Sequence, residues 1–283
     1  MNSSITMGIT QLSGIKIGNI DITKVYIGDI LVFGKEVVIN PILVWQFKGH
    51  TDRVESMAVD NQDNIYSGSY DDTVRKISNE GVEISKITVI TSGINSITVD
   101  NQDNIYTGGR DKSVRKISNE GVEIWRFKGH TNIVNSIAID NQNNAYSGGR
   151  DKTVRKISNE GVEIWQFKGH TDWVNSIAVD NQNNIYSGGY DDTVRKISNE
   201  GVKIWDFTGH SGNVDSIVVD NQDNIYTSDN NSILRRISKA GNEIWKFKGS
   251  AGSIGPITVD SQNNIYTGGN DNIVRKIKQE QGE

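Results

Sequence analysis

Residues 129–168 read GHTNIVNSIAIDNQNNAYSGGRDKTVRKISNEGVEIWQFK, and residues 169–208 read GHTDWVNSIAVDNQNNIYSGGYDDTVRKISNEGVKIWDFT. The same text returns at steps of forty from 49, 89, 209 and 249, the last copy running to the chain end without its final portion. A fixed period in the range of roughly 20–50 residues marks a repeat architecture, in which each unit buries its apolar face only against its neighbours.

Each copy reads as four short strands. From 49, strand a carries Val54, Met57 and Val59 and ends in the polar turn Asp60-Asn61-Gln62-Asp63-Asn64. Strand b covers 65–67 and stops at Gly68. Strand c covers 73–78, with Val74 returning as Val114, Val154, Val194, Leu234 and Val274. After Asn79-Glu80-Gly81 comes strand d, clearest at 122–127. Short β-branched strands at even spacing, with no sustained 3.6-residue apolar period, predict an all-β chain of propeller blades. Copies from 49, 89, 129, 169 and 209 hold all four strands, whereas the copy from 249 lacks d. Residues 43–47, Leu-Val-Trp-Gln-Phe, repeat the d-strand text ahead of the first copy. The expected architecture is a six-bladed β-propeller over 42–283, closed by pairing of N- and C-terminal strands, 42–48 beside 273–278. That pairing would leave no long exposed edge. Seven blades, with 13–40 as an irregular blade, is the alternative.

Residues 1–41 stand outside the period. A loose tail is expected at 1–8, then three or four strands at 15–17, 22–27, 30–33 and 36–39, broken at Gly18-Asn19, Gly28-Asp29 and Gly34. So small a β module cannot bury a core alone, so it must pack on the propeller, on sister copies or on another protein. The residues Gly14-Ile15-Lys16-Ile17-Gly18 and Val25-Tyr26-Ile27-Gly28-Asp29-Ile30-Leu31-Val32-Phe33 resemble a short β module found near the ends of bacteriophage structural proteins. A capping hairpin or a divergent blade is the other reading of this segment.

The repeat itself resembles the WD-repeat family through Gly49-His50, Val54, Ser67-Gly68 and Asp71-Asp72-Thr73-Val74-Arg75. The name-giving Trp-Asp pair is absent, and Ile77-Ser78, Ile117-Ser118, Ile157-Ser158, Ile197-Ser198 and Ile237-Ser238 stand in its place. The stretch Val179-Asp180-Asn181-Gln182-Asn183-Asn184-Ile185-Tyr186 is similar to NHL-type propeller repeats, which are commonly six-bladed. The WD resemblance implies that His50, His130 and His170 hydrogen-bond Asp71, Asp151 and Asp191 as structural pairs. It also places His210 opposite Asn231 and Asp111 opposite Ile90, where the pairing fails.

Composition removes whole classes of chemistry. The chain has no cysteine, so disulfides, thiolate metal sites and cysteine nucleophiles are excluded. A net charge of −5 argues against a general nucleic-acid surface. No apolar run is long enough to span a membrane as a helix, and the N-terminus lacks the basic and apolar regions of a secretory signal. Four histidines suggest a metal, but their blade spacing separates them. The Asp-Asn-Gln-Asp-Asn turns suggest calcium, but no downstream bidentate Glu follows, and Asp and Asn are themselves turn formers. The pairs Arg75-Lys76, Arg115-Lys116, Arg155-Lys156 and Arg195-Lys196 either ring an anion site or form solvated or inter-blade ion pairs with Glu80, Glu83, Glu120 and Glu123. Trp45, Trp125, Trp165, Trp205 and Trp245 are expected as core between blades, and the d strand with Ser85 and Ile87 should belong to the loosest blade. Catalysis needs an asymmetric cluster of acid, base or nucleophile, and every reactive group here recurs with the period. No catalytic, metal or cofactor site is expected.

Where near-identical copies disagree, the differences gather in two loops. The first follows Gly-His: Arg53, Ile133, Trp173 and Asn213. The second is the b–c turn: Tyr70, Arg110, Arg150, Tyr190, Asn230 and Asn270. In a propeller both loops lie on one face, and Arg, Tyr and Trp are the residues that anchor interfaces. Arg53, Tyr70, Arg110, Arg150, Trp173 and Tyr190 are therefore the candidate binding face, against the alternative of drift at exposed turns. Two functions fit. One is a non-enzymatic bacteriophage virion protein of tail, fibre or decoration type, bound to other virion proteins or a host-surface receptor and able to self-associate through 13–40. The other is a scaffold of the bacterial cytoplasm. Propellers host many functions, so the fold alone does not choose.

Overall fold

The computed structural model describes strand segments between Lys16 and Val38 and, from Trp45 to Ile277, every residue except 90, 91, 250, 251, 253, 261, 262 and 271–273. The chain divides into two compact units, Met1–Gln46 and Phe47–Glu283. In the first, Lys16–Ile17 pairs with Ile20–Asp21, while Lys24–Ile27, Ile30–Phe33 and Glu36–Val38 form an antiparallel meander. The strand expected at 22–27 is described over Lys24–Ile27, and a further strand, Ile20–Asp21, pairs with Lys16–Ile17. The tail at 1–8 lies outside the described residues.

The second unit is a six-bladed propeller, with no helix among the described residues. Strands a are Val54–Val59, Ile94–Val99, Val134–Ile139, Val174–Val179, Val214–Val219 and Ile257–Val259. Strands b are Ile65–Ser69, Ile105–Gly109, Ala145–Gly149, Ile185–Gly189, Ile225–Asp229 and Ile265–Thr267. Strands c are Thr73–Ile77, Val114–Ile117, Val154–Ile157, Val194–Ile197, Ile233–Ile237 and Arg275–Ile277. Strands d are Glu83–Thr88, Glu123–Phe127, Glu163–Phe167, Lys203–Phe207 and Glu243–Lys248. Each sheet is an antiparallel meander in the order a-b-c-d, and among the described residues the sixth has a, b and c.

Local chemistry sets these meanders. In the a–b turn, the Asp140 carboxylate accepts from the backbone N–H groups of Gln142 and Asn144, and Asn143 sits at φ 62°. Asx turns of this kind favour Asp and Asn because the short side chain caps the backbone and tolerates left-handed φ. The c–d turn works the same way through Ser158 Oγ, which accepts from Glu160 and Val162 N–H, and through Gly161 at φ 84°. Gly161 has a second reason to lack a side chain, because a Cβ there would lie 2.8 Å from the Trp125 ring.

The core lies between blades. At one joint Tyr106 and Val114 pack against Val134, Ile137, Ala145 and Ile157, and the next repeats this with Tyr146, Val154, Val174, Ile177, Ile185 and Ile197. Fully burying each such aliphatic side chain contributes ~1.5–3 kcal/mol. Polar staples cross the same joints. The Ser96, Ser136 and Ser176 hydroxyls accept from Ile137, Ile177 and Ile217 N–H, at 3.0, 3.1 and 2.9 Å. Asn95 and Asn135 amides donate to the Val134 and Val174 carbonyls of the following blade. Trp125, Trp165 and Trp205 lie half-buried at these joints as expected, each donating its indole N–H to a backbone carbonyl of the next blade. Where Ser85 replaces the Trp, Ile87 meets Gly121 and a cavity of about 210 Å³ opens beside it.

The joint between the last and first blades differs. At Gly108, Gly148 and Gly188 a Cβ would collide at 2.5–2.6 Å with a strand-a Val of the next blade, whereas at Gly268 nothing lies within 4 Å. Met57 is 69% exposed and Val274 78%, while Ile97 and Val154 are buried. Among the described residues, Arg275–Ile277 pairs only with Ile265–Thr267, and residues 45–50 form no strand. The closing pair expected from 42–48 and 273–278 is therefore not among the described ladders, and 42–44, 273 and 278 lie outside the described residues.

Candidate functional site

One face of the disc is built by the segment after Gly-His and the b–c turn. Its foundation is a buried polar network. His130 Nδ1 lies 2.9 Å from Asp151 and its Nε2 lies 2.8 Å from Ser147 Oγ, so an Nδ1–H donates to the carboxylate while Nε2 accepts from the hydroxyl. His170 with Asp191 and Ser187, and His50 with Asp71 and Ser67, repeat the arrangement. The three expected His–Asp pairs are formed. Burial alone would raise the Asp151 carboxyl, but hydrogen bonds from His130, the Thr131 N–H and Thr153 outweigh it and hold it down at about 2.

Two details depart from the sequence reading. His210 does not face Asn231; it meets Asp229 at 2.8 Å and Thr227 Oγ1 at 2.9 Å, and Arg235 also donates to Asp229. Asn231 instead donates to the Ser211 carbonyl. The signal was present in the sequence, because Asp229 stands where the preceding copy has Gly189, two residues ahead of the lost acid. Asp111, in the copy without a His, binds Arg115 and Arg126 at 2.5 and 2.6 Å. Ile90 lies outside the described residues. The Ile that replaces the WD tryptophan is buried, as Ile117, Ile157, Ile197 and Ile237 show.

An aspartate–histidine–serine relay is also the geometry of a hydrolytic triad. Here it carries no access, since Ser147, Ser187 and Thr227 are completely buried. The four-fold repetition and the buried hydroxyls assign it to holding the two loops together.

The strand-c cations form partnerships, and they are not solvated. Arg115 is 2% exposed and binds Asp111 and Glu123; Arg155 and Arg75 bind Glu163 and Glu83. Lys76 points the other way, to Asp60 and Asp103 at 3.0 and 2.9 Å, with its ammonium 5.0 Å from the Tyr66 ring centroid. Glu80 and Glu120 take no part in these ion pairs; Glu120 accepts from Ser118. The carboxylates of the a–b turns are likewise committed, Asp140 to Asn144, Tyr146 and the turn backbone. That leaves the calcium reading without free ligands at this turn.

Above this foundation sit the six candidate face residues. The two variable loops of each blade are joined by a backbone hydrogen bond between their variable positions: Tyr70 N–H to Arg53 O, Arg150 to Ile133 O, Tyr190 to Trp173 O and Asn230 to Asn213 O. The side chains then meet across blades in two ladders. The Arg110 guanidinium lies 4.0 Å from the Tyr70 ring centroid and that of Arg53 5.7 Å. The Arg150 guanidinium lies 4.3 Å from the Trp173 ring, which stacks on Tyr190 at 5.3 Å and 30°. Arg53 is ion-paired to Glu55 and Arg150 donates to Asn135 Oδ1. Arg110 is exposed and has no carboxylate within ion-pair reach among the described residues. Each cation–π contact contributes ~0.5–1 kcal/mol at such a surface, and it fixes a long side chain that would otherwise cost entropy to order on binding.

Comparison with known proteins places the fold but no single family. Residues 150–283 match the family described as outer membrane protein assembly factor BamB, and residues 41–77 and 121–157 match the family described as WD domain, G-beta repeat. No curated protein matches. Among solved structures, the crystal structure of the WD40 beta propeller domain of Doa1 is similar, with TM-score 0.74, 20% identity, and coverage of 81% of this chain and 79% of that one. At that identity the likeness carries the fold alone.

Proposed function

We propose that this protein is a non-enzymatic binding scaffold whose face of Arg53, Tyr70, Arg110, Arg150, Trp173 and Tyr190 grips a protein partner, and that it serves as a bacteriophage virion component. Six of the ten variable loop positions converge in two cation–aromatic ladders, and this observation carries the reading. Drift at exposed turns would scatter side chains without mutual contacts. The reading of the scaffold as non-catalytic is supported by the burial of its repeated relay-like clusters. The match to a propeller family named for assembly agrees with a structural role. The virion location and self-association through residues 13–40 rest on the phage-like text of that segment.

The test is particle incorporation. A tagged full-length chain supplied during infection should co-purify with particles. Deleting residues 1–41 should abolish incorporation, and the triple change Arg110→Ala, Arg150→Ala, Trp173→Ala should weaken partner capture at least tenfold with unchanged thermal unfolding. Recovery only in cytoplasmic complexes, with or without residues 1–41, would favour the bacterial scaffold instead.

A further inference from the structure

The two halves of this face differ. Blades one to four carry the Arg–aromatic ladders, whereas between the fifth and sixth blades a cleft of about 550 Å³ opens, walled by Asp215, Ser232, Pro256 and bare backbone at Gly252, Gly255 and Gly268. The volume falls within the usual range for small-ligand sites, ~300–1,000 Å³. No Lys, Arg or His lines it, so Asp215 supplies its one formal charge.

Asp215 breaks a pattern. At the same place in strand a, three preceding blades have Asn95, Asn135 and Asn175, whose amides donate to backbone carbonyls of the following blade. An ionised carboxylate cannot donate, and among the described residues the Asp215 carboxyl has neither hydrogen bond nor ion pair. Burial first, then repulsion from Asp229, raise it above the ordinary carboxylate value. A half-buried acid with that cost and no internal compensation gains most from an incoming cation. Ser232 adds a second, independent sign. It is 1% exposed, lines the cleft, and its hydroxyl has no partner among the described residues. Asn230 at the rim supplies a further exposed amide.

We propose that this cleft is a binding site for an organic cation, an alkylammonium or guanidinium group, which pairs with Asp215 and donates to the Ser232 hydroxyl. The site is separate from the Arg–aromatic ladders and does not rest on them. The full-length protein is titrated with N-acetyl-lysinamide, N-acetyl-argininamide, the uncharged N-acetyl-norleucinamide and free butylamine, reading backbone amide shifts of residues 213–216, 230 and 268–270. The charged amides should bind at least tenfold more tightly than norleucinamide, and Asp215→Asn should lose at least tenfold. Asp215→Asn installs the residue of three other blades, so it should fold, and Arg110→Ala should bind as wild type does. Preference for the amino-acid amides over butylamine would assign the site to a lysine or arginine of a protein; equal binding would assign it to a small free amine. Absence of shifts with every cation, or equal binding by Asp215→Asn, overturns the proposal. Loss of binding in Arg110→Ala would also overturn it, because the cation would then be bound through the other half of the face.

Discussion

At the scale of residues, the same trio of side chains can be machinery or mortar, and burial decides. His130, Asp151 and Ser147 have triad distances, yet with the hydroxyl sealed they only tie loop to loop. Their cost on removal is large because a lone buried partner is left behind. Asp229→Ala should destabilise by ~1–3 kcal/mol, since it leaves His210 without its buried acid while Arg235 keeps Glu243, whereas Asn231→Ala should cost under ~1 kcal/mol, as read by urea unfolding. A reversed order would show that His210 depends on Asn231 after all. Acid sensitivity follows from the same groups. His170 is held below the usual imidazole value, by burial foremost, so the unfolded chain takes up its proton first. Stability is then full above about pH 6.5 and drains as pH falls through that value. Asp71, Asp151 and Asp191 are held low by their hydrogen bonds, adding a second loss that begins near pH 4 and runs down through about pH 2. Urea midpoints measured across pH 8 to 3 should show both declines, and His170→Gln should remove the first.

At the scale of elements, strands and turns were legible because each depends on its own forty residues. Asp60, Gly81 and the apolar alternation of strand a act locally, so their roles could be read from spacing. What escaped depends on neighbours in space. The pairing of Arg115 with Asp111 and the serine staples need the three-dimensional register of strands. For the Arg-Lys pairs the ion-pairing reading holds at Glu83 and Glu123, and strand c alternation puts one cation toward the Glu of strand d and the other toward the a–b turn. The joint at Ser85 tests how far the repeat logic extends. Ser85→Trp should place an indole over Gly121, filling the adjacent cavity and reaching the backbone as Trp125 does in the following blade. We expect a gain of about 1–2 kcal/mol, seen as a rise of a few degrees in Tm. A fall in Tm would mean that Ile87 already occupies the space.

At the scale of the whole molecule, six blades could be counted from the text, and the convergence of the variable positions on one face could be anticipated from their shared loops. The seam is the least local feature, because it brings together the two ends of the repeated text, 43–47 and 273–278, and the expected ladder between them is not among the described ones. The serine staple, by contrast, recurs from joint to joint. Ser96 to Ile137, Ser136 to Ile177 and Ser176 to Ile217 each span forty-one residues, and the apolar contacts beside them keep the same spacing. A unit therefore recognises its neighbour without knowing its own place in the series. Whole copies can be traded, dropped or gained at the level of the gene with the contact surface intact, so the array can change its exposed loops by shuffling interchangeable parts while the frame is carried over unchanged.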